Sequence, residues 1–513
     1  MLEPNSKFHE NFKEKCISFF RSSGYLADIS LFTNETEMRK FLSSKNVDVV
    51  ISDLSFDSED LSGLLVVKKI KEEFPDIFVI GFSRANIGYR DVSARLPTFD
   101  MFIEKTGFIG GNDRYILCIV DEFKVKFKRN SDIVISEKTE YRPNEQVKIR
   151  DFESMVSQIM FRKHSSDERS TPSKVYFKPL SGGRSSSSVY KMYGENINGD
   201  IVTVPSVLKI SPINNAIKEK ENYDEFVKWI LPYKWRVDML GFGITKKFGA
   251  ICYSFISSIG VEYDSLTKYI LDGKDDVIIN SIKTVFSPEK RHWYSESFIE
   301  IKDDINKRYH ERYFNNQNDK NNASAKFNKY TQDLFDAKLF NQKVKIFNNY
   351  YSKPIERLFG EPNGSYSTCI CHGDLNSNNL IVSENGEVIF IDFQNTGRGH
   401  VFEDFVTLEA SIRLNYPLQI DQHSTRFWNS FIDSENKCVV GDCNQEDDLP
   451  NLHRHIYYIR RLAKLNFPNE NFKLYYYAVA AFNTRLLLLS KLTDSQFGRI
   501  ISCILVALEQ LDK

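Results

Sequence analysis

The chain has 513 residues, which at roughly 150 per domain leaves room for about three compact units, or two with one large. Hydrophobic residues are 41% and charged residues 27%, too apolar for wholesale disorder. Lys plus Arg number 68 against 69 Asp plus Glu, and the net charge of −1 argues against holding nucleic acid or an anionic membrane by bulk charge. No apolar run approaches the roughly 20 residues that span a bilayer. The longest, 475–482 and 500–508, read as buried helix segments. The start, MLEPNSKFHENFKEK, lacks the apolar centre of a signal peptide, and eight cysteines without regular spacing fit free thiols. A cytoplasmic protein is expected, neither secreted nor membrane-spanning nor disulfide-stapled.

In chain order, residues 11–20 form a helical pattern on Cys16, Ile17, Phe19 and Phe20, stopped at Gly24. A strand is expected at 28–32 and a helix at 35–42. Residues 47–54 (VDVVISDL) form a nearly continuous apolar strand of the kind buried on both faces of a parallel sheet. A helix follows at 64–74, with Val66, Val67, Ile70 and Phe74 at helical spacing before Pro75. A strand at 77–82, a helix near 91–96, a strand at 100–104 and a helix at 113–126 complete the series. Such alternation implies a doubly wound parallel sheet. From about 131 to 173 the apolar density falls, marking a linker with one bridging helix at 151–162. Residues 174–260 are strand-rich with one helix, and 261–513 are mainly helical. The polar stretch 315–325 (NNQNDKNNASA) is expected to be a surface loop.

Residues 369–393 read CICHGDLNSNNLIVSENGEVIFIDF. His372, Asp374 and Asn379 make an H-x-D-x-x-x-x-N pattern, and Asp392 ends an apolar strand. Loop, strand, tight turn and strand follow one another here, which brings Asn379 and Asp392 to one rim. Phosphoryl transfer from ATP needs such groups: a carboxylate to accept the acceptor's proton, and an amide oxygen and second carboxylate to hold Mg²⁺. The bland alternative is an Asp–Asn loop that only turns and caps. The spacing of four specific residue types argues against it. Cys369 and Cys371 share one strand face and read as packing.

HGDLNSNNLIV followed by VIFIDF resembles the aminoglycoside phosphotransferase and choline kinase family over roughly residues 174–513. The resemblance implies an α+β bilobal protein-kinase-like fold. It implies Asp374 as catalytic base, Asn379 and Asp392 as magnesium ligands, and His372 as a loop-shaping residue of the catalytic stretch. A phosphate loop, a lysine and a helix glutamate should lie upstream. PLSGGRSSSSVYKM supplies Ser181, Gly182 and Gly183, although it departs from the G-x-G-x-x-G of protein kinases. Lys209 in PSVLKI matches the strand lysine. Of Glu219, Glu221 and Glu225, only Glu219 shares the face of Tyr223, Phe226, Val227 and Ile230 at 100° per residue. In FEDF, Asp404 matches the family's buried brace of the catalytic loop, with a plain helix N-terminal charge as the alternative. Trp293, Tyr294, Tyr309 and Tyr313 are candidates for an acceptor pocket, or for core.

VDVVISDLSF, IFVIGFSRA and DMFIEKTGF resemble a response-regulator receiver domain of flavodoxin-like α/β fold. The resemblance places Asp53 at the phospho-acceptor position, Ser83 at the hydroxyl switch and Lys105 at the lysine. It departs at the start, where Glu3 matches the first magnesium-binding acid and Pro4 replaces the second. This implies a chain that starts late or a degenerate receiver, rather than an intact phosphorylation switch. A zinc site from Cys438, Cys443, His453 and His455 is disfavoured, because the intervening QEDDLP run reads as an exposed acidic loop.

The expected organisation is a receiver-like domain (1–129), a linker with a helix (130–173), a smaller kinase-like lobe (174–260) and a helical lobe (261–513). The expected function is Mg-ATP-dependent phosphorylation of a hydroxyl on a small molecule. The receiver-like half would regulate it or recruit a partner protein, and neither nucleic acid nor membrane is expected as a partner. The alternative is a nucleotide- or partner-binding module without catalysis, in a bacterial signalling or defence assembly.

Overall fold

In the computed structural model the described residues are 6–22, 28–32, 34–44, 47, 49–53, 62–74, 77–83, 101–104, 134–135, 147, 149–159, 174–180, 187–195, 201, 203–245, 247–256, 261–287, 292–295, 299–301, 305–314, 317–336, 358, 365–418, 425–438 and 449–512. The chain divides into two units, Met1–Ile217 with Met239–Phe255 and Lys218–Asp238 with Ile256–Lys513.

The first unit begins with helices Ser6–Ser22 and Glu35–Ser44, strand β1 (Val49–Asp53), helix Ser62–Glu73, and strands β2 (Phe78–Ser83) and β3 (Met101–Glu104). The strands pair in parallel in the order β1-β2-β3, with Val50 opposite Val79 and Ile80 opposite Met101. Apolar residues on both strand faces suit a sheet that helices cover. Met38 and Leu42 of one helix and Val66, Val67 and Ile70 of another bury against Val50 and Val79. Residues 28–32, expected as a strand, contain only an isolated bridge at Phe32, whose ring packs 5.1 Å from Phe41. The expected helices at 91–96 and 113–126 lie outside the described residues.

The same unit holds a six-stranded sheet of β4 (Val134–Ile135), β5 (Lys174–Pro179), β6 (Ser188–Glu195), β7 (Ser206–Pro212), β8 (Met239–Ile244) and β9 (Phe248–Ser254), in the order β4-β5-β6-β7-β9-β8. The bridging helix expected in the linker spans Ile149–Ile159 and forms a layer on this sheet. Its Phe152, Met155 and Val156 share one core with Val175, Phe177, Tyr190 and Leu208. Gln158 seals the contact, donating to the Ile244 carbonyl and accepting from the Ile244 N–H, both at 3.0 Å. Low apolar density in the flanking sequence hid the packing of this helix on the sheet; its buried residues Phe152, Met155 and Val156 share one face.

The second unit contains two small sheets. Strands β11 (Ile299–Ile301), β12 (Tyr366–Cys371) and β15 (Gly397–His400) form one. Strands β10 (Tyr263–Ser265), β13 (Leu380–Ser383) and β14 (Val388–Phe390) form the other. Helix Glu403–Asn415 is buried from Glu403 to Arg413 on every face. Its polar residues are tolerable because each finds a partner. Glu409 takes Arg413 at 2.6 Å, Arg460 at 2.7 Å and the Tyr475 hydroxyl at 2.6 Å, and Glu435 takes Arg413 at 2.7 Å. That network joins helices Thr425–Lys437, Asn451–Asn466 and Lys473–Leu486 to the central one. Residues 475–482 and 500–508 are buried within helices Lys473–Leu486 and Asp494–Asp512, as their apolar runs suggest. Among the described residues no helix is long and apolar enough to cross a membrane.

The stretch 315–325 is not a loop where it is described: helix Gln317–Asp336 runs through it. The helix buries a narrow stripe of Ala323 and Phe327, and Tyr330 stacks on Phe497 at 4.8 Å. Two small or aromatic contacts per two turns suffice for docking, and polar side chains cover the remaining faces.

Candidate active site

The site grows from the end of β12, where the chain turns through His372, Gly373 and Asp374. Gly373 has φ +76°, and a Cβ there would lie 2.1 Å from the Asn395 carbonyl oxygen. Only glycine takes this turn without strain or clash. Asp404 grips it from the first turn of the central helix: Oδ2 accepts the His372 N–H at 2.7 Å and the Tyr294 hydroxyl at 3.1 Å, and Oδ1 accepts the Gly373 N–H at 2.9 Å. Asp404 thus stands in the first turn of its helix and bonds the turn that precedes Asp374. Its burial raises its carboxyl to about 6, against the opposing pull of His372 and the two N–H donors. His372 is buried, its Nε2 lies 2.9 Å from the Ile391 carbonyl, and its own carbonyl accepts from Thr396 Oγ1 at 3.2 Å.

The Asn379 side-chain nitrogen donates to the Asp374 carbonyl at 2.8 Å and lies 3.5 Å from Asp374 Oδ2. The amide oxygen is thereby the free end for other work. A 3₁₀ turn, Ser377–Asn379, leads into β13, and β13 pairs with β14 through Leu380–Phe390 and Val382–Val388. Gly386, at φ +78°, makes the turn between them. The Ile391 N–H donates to the Asn379 carbonyl at 3.1 Å, so Asn379 and Asp392 sit at the same end of this hairpin. Asp392 adopts φ 67°, the single non-glycine positive φ among the described residues. Such strain persists where the surroundings enforce it and clusters at functional sites. An amide oxygen and a carboxylate at one rim are hard donors that suit a small divalent cation.

Glu219 lies on helix Ile213–Asn222, fully buried, while Glu221 and Glu225 are exposed. The helix is pinned to the turn after Asp392, where Asn222 Nδ2 donates to the Gln394 carbonyl at 2.8 Å and Tyr223 packs edge-on to Phe393 at 5.6 Å. Past Asn222 the chain makes a π turn, Tyr223–Val227, and the expected face breaks up: Tyr223 and Val227 are buried, Phe226 and Ile230 only half so. Lys209 is buried on β7 in the first unit, paired with Val189 and Ile251. Ser181, Gly182, Gly183 and Lys105 lie outside the described residues. Asp53 and Ser83 close β1 and β2 at their carboxyl ends.

The candidate acceptor aromatics are core. Trp293 stands edge-on to Phe390 at 5.5 Å, Tyr294 bonds Asp404, Tyr309 lies 2.8 Å from His400 Nδ1, and Tyr313 is buried. Cys369 and Cys371 are buried with their sulfurs 3.6 Å apart. Cys438 Sγ donates to the His453 carbonyl, not its ring, His455 faces Asp275, and Cys443 is outside the described residues. No group of three or more metal-ligating side chains occurs among the described residues.

Three supports carry no local sequence signal. Ser377 is clipped by Ser411, with its N–H 2.9 Å from Ser411 Oγ, and by Thr267 at 2.6 Å. Arg312 Nη2 donates to the Gly373 carbonyl at 2.6 Å and reaches Glu403 at 2.8 Å. Arg308 also reaches Glu403, at 3.3 Å. These partners are separated by tens of residues, and only the fold joins them.

Residues 309–424 match the phosphotransferase enzyme family. They run from within helix Ile305–Tyr313, which bears Arg308 and Arg312, through the His372–Asp374 turn and past the central helix. Similar solved structures include the aminoglycoside phosphotransferase from Alicyclobacillus acidocaldarius (12% identity, 65% of this chain and 91% of that chain, TM-score 0.34). The aminoglycoside phosphotransferase APH(3'')-Id from Streptomyces rimosus is 13% identical (56% of this chain, 92% of that chain, TM-score 0.27). Amicoumacin kinase hAmiN is 10% identical (66% and 89%, TM-score 0.30). A search of curated proteins finds no match.

Proposed function

We propose that this protein is a Mg-ATP-dependent phosphotransferase acting on a hydroxyl of a small molecule. The observation that carries the reading is the turn of His372, Asp374, Asn379 and Asp392, anchored by Asp404, inside the segment that matches the phosphotransferase family. Asp374 accepts the acceptor's hydroxyl proton as its oxygen bonds the γ-phosphorus. The bond from that phosphorus to the β–γ bridging oxygen breaks, and ADP leaves. Asn379 and Asp392 hold Mg²⁺, which neutralises phosphate charge when bound. His372 shapes the turn and Asp404 braces it. Lys209 and the backbone of Ser181, Gly182 and Gly183 supply positive charge and N–H donors to the nucleotide phosphates. Glu219 is the acidic helix residue of the same set.

The receiver-like half, with Asp53, Ser83 and Lys105 as its site, regulates the transfer or recruits a partner. Three parallel strands in consecutive order support that likeness.

The test is ADP release from Mg-ATP, with and without a pooled alcohol and aminoglycoside panel. Turnover that Asp374→Asn lowers at least 100-fold is expected, with Asp392→Ala abolishing the magnesium dependence. Nucleotide binding without turnover would replace catalysis by a binding role. In a parallel arm, acetyl phosphate labelling lost in Asp53→Asn would establish a working receiver, and its absence would reduce that half to a docking domain.

A further inference from the structure

We infer that Arg312, held by Glu403, is a positioning residue for Asp374; the inference rests on the phosphotransferase reading. A peptide group is planar, so holding its carbonyl oxygen restrains the orientation of the whole plane. The Gly373 carbonyl belongs to the plane that leads into Asp374, and Arg312 Nη2 donates to it at 2.6 Å. The plane that leaves Asp374 is fixed as well, through its carbonyl, by Asn379 Nδ2 at 2.8 Å and the Asn376 N–H at 2.8 Å. With both flanking planes held, the backbone angles of Asp374 are restrained, and with them the direction of the Cα–Cβ bond from which its carboxylate projects.

Arg312 is itself held. Its Nη2 lies 2.8 Å from Glu403 Oε1, and the Glu403 side chain is only 2% exposed. Arg308 takes the other oxygen at 3.3 Å and donates to the Arg398 carbonyl at 2.9 Å, on the strand beside β12. A Cβ on Gly399 would stand 2.7 Å from Glu403 Oε2, so the glycine leaves room for this carboxylate. Glu403 and Asp404 are consecutive. One directs the arginine onto the Gly373 carbonyl, and the other accepts the Gly373 N–H. One nitrogen, Nη2, meets the carbonyl and the carboxylate at once, and the rigid guanidinium plane fixes the directions of its two N–H groups where a lysine ammonium would rotate. Errors in the placement of a catalytic base translate directly into rate.

The experiment is steady-state ADP release from Mg-ATP, with water as acceptor, by the full chain, normalised to folded protein from thermal melts. Arg312→Gln should lower kcat ten- to 100-fold with KM for ATP within two-fold. Arg312→Lys should recover part of that loss, and covers the case in which the glutamine variant does not fold. Arg312→Gln combined with Glu403→Gln should be no slower than the worse single variant, as for a coupled unit. Glu311→Gln, exposed on the same helix, is the control and should match wild type. A wild-type kcat in Arg312→Gln, or a raised KM at unchanged kcat, overturns the inference and leaves the phosphotransferase reading intact. Wild-type turnover that does not depend on Asp374 removes both.

Discussion

At Gly373 the backbone turns left-handed and passes so close to Asn395 and Arg312 that a methyl group has no place, with Arg312 Nη2 2.8 Å and the Asn395 oxygen 2.1 Å from an added Cβ. Gly373→Ala is expected to destabilise by about 2–3 kcal/mol through combined strain and overpacking. It should also cut ADP release at least ten-fold by displacing Asp374. Urea unfolding and turnover check both, and wild-type values would show that the turn is not rigidly held. His372, Asp374, Asn379 and Asp392 are legible as a motif because they are local, and the hairpin between Asn379 and Asp392 needs only turn chemistry and alternation. Arg312 and Glu403 are not legible in that way. An arginine and a glutamate 91 positions apart carry no spacing rule, and their meeting depends on how β12, β15 and the central helix converge.

Elements were legible where apolar periodicity was strong and obscure where it was thin. The runs 475–482 and 500–508 announced buried helices, and the alternation from 47 to 104 announced β1, β2 and β3. Helix Gln317–Asp336 is obscure in the sequence because it docks on few apolar residues among many polar ones, whereas the helix expected at 151–162 is present as Ile149–Ile159 and only its packing on the sheet is not legible. The π turn after Asn222 likewise defeated a regular 100° projection. Close helix approach is equally hidden: Gly498 lies under the Trp428 ring, with Cζ2 2.4 Å and Cη2 2.1 Å from an added Cβ. Gly498→Ala should lose about 1–3 kcal/mol of stability by overpacking, despite its better helix propensity. Its turnover per folded molecule should stay at wild-type level, in contrast to Gly373→Ala. A rise in urea midpoint would mean that the ring moves aside freely.

Across the second unit, burial of ionisable groups sets how it responds to acid. Burial lowers His400 to about 3, and His453 and His455 to about 4, so all three are neutral in the fold. The unfolded chain protonates them below about 6.5, so stability falls as pH drops from 7 toward 4, by roughly 2 kcal/mol for each histidine at pH 5. Asp404, raised to about 6, works the other way and returns about 1 kcal/mol over the same interval. Glu435 is buried, yet its arginine partners hold it at about 2, so its contribution is full above about 4.5 and disappears only below that. The net expectation is a melting temperature that falls between pH 7.5 and pH 5. A flat or rising profile would show that these histidines are solvated.

By itself the sequence determined the alternation of strands and helices, the long buried helices and the motif of the His372–Asp392 turn and hairpin, because each rests on short-range periodicity, turn chemistry or a fixed spacing. Only the tertiary structure decided that helix Ile149–Ile159 is a layer on the six-stranded sheet, that the polar 403–413 helix runs buried through the second unit, and that Arg312 and Glu403 close on the turn. Those outcomes depend on which distant groups can neutralise a charge or satisfy a donor once water is excluded, and that is settled by packing in three dimensions rather than by neighbours in the chain.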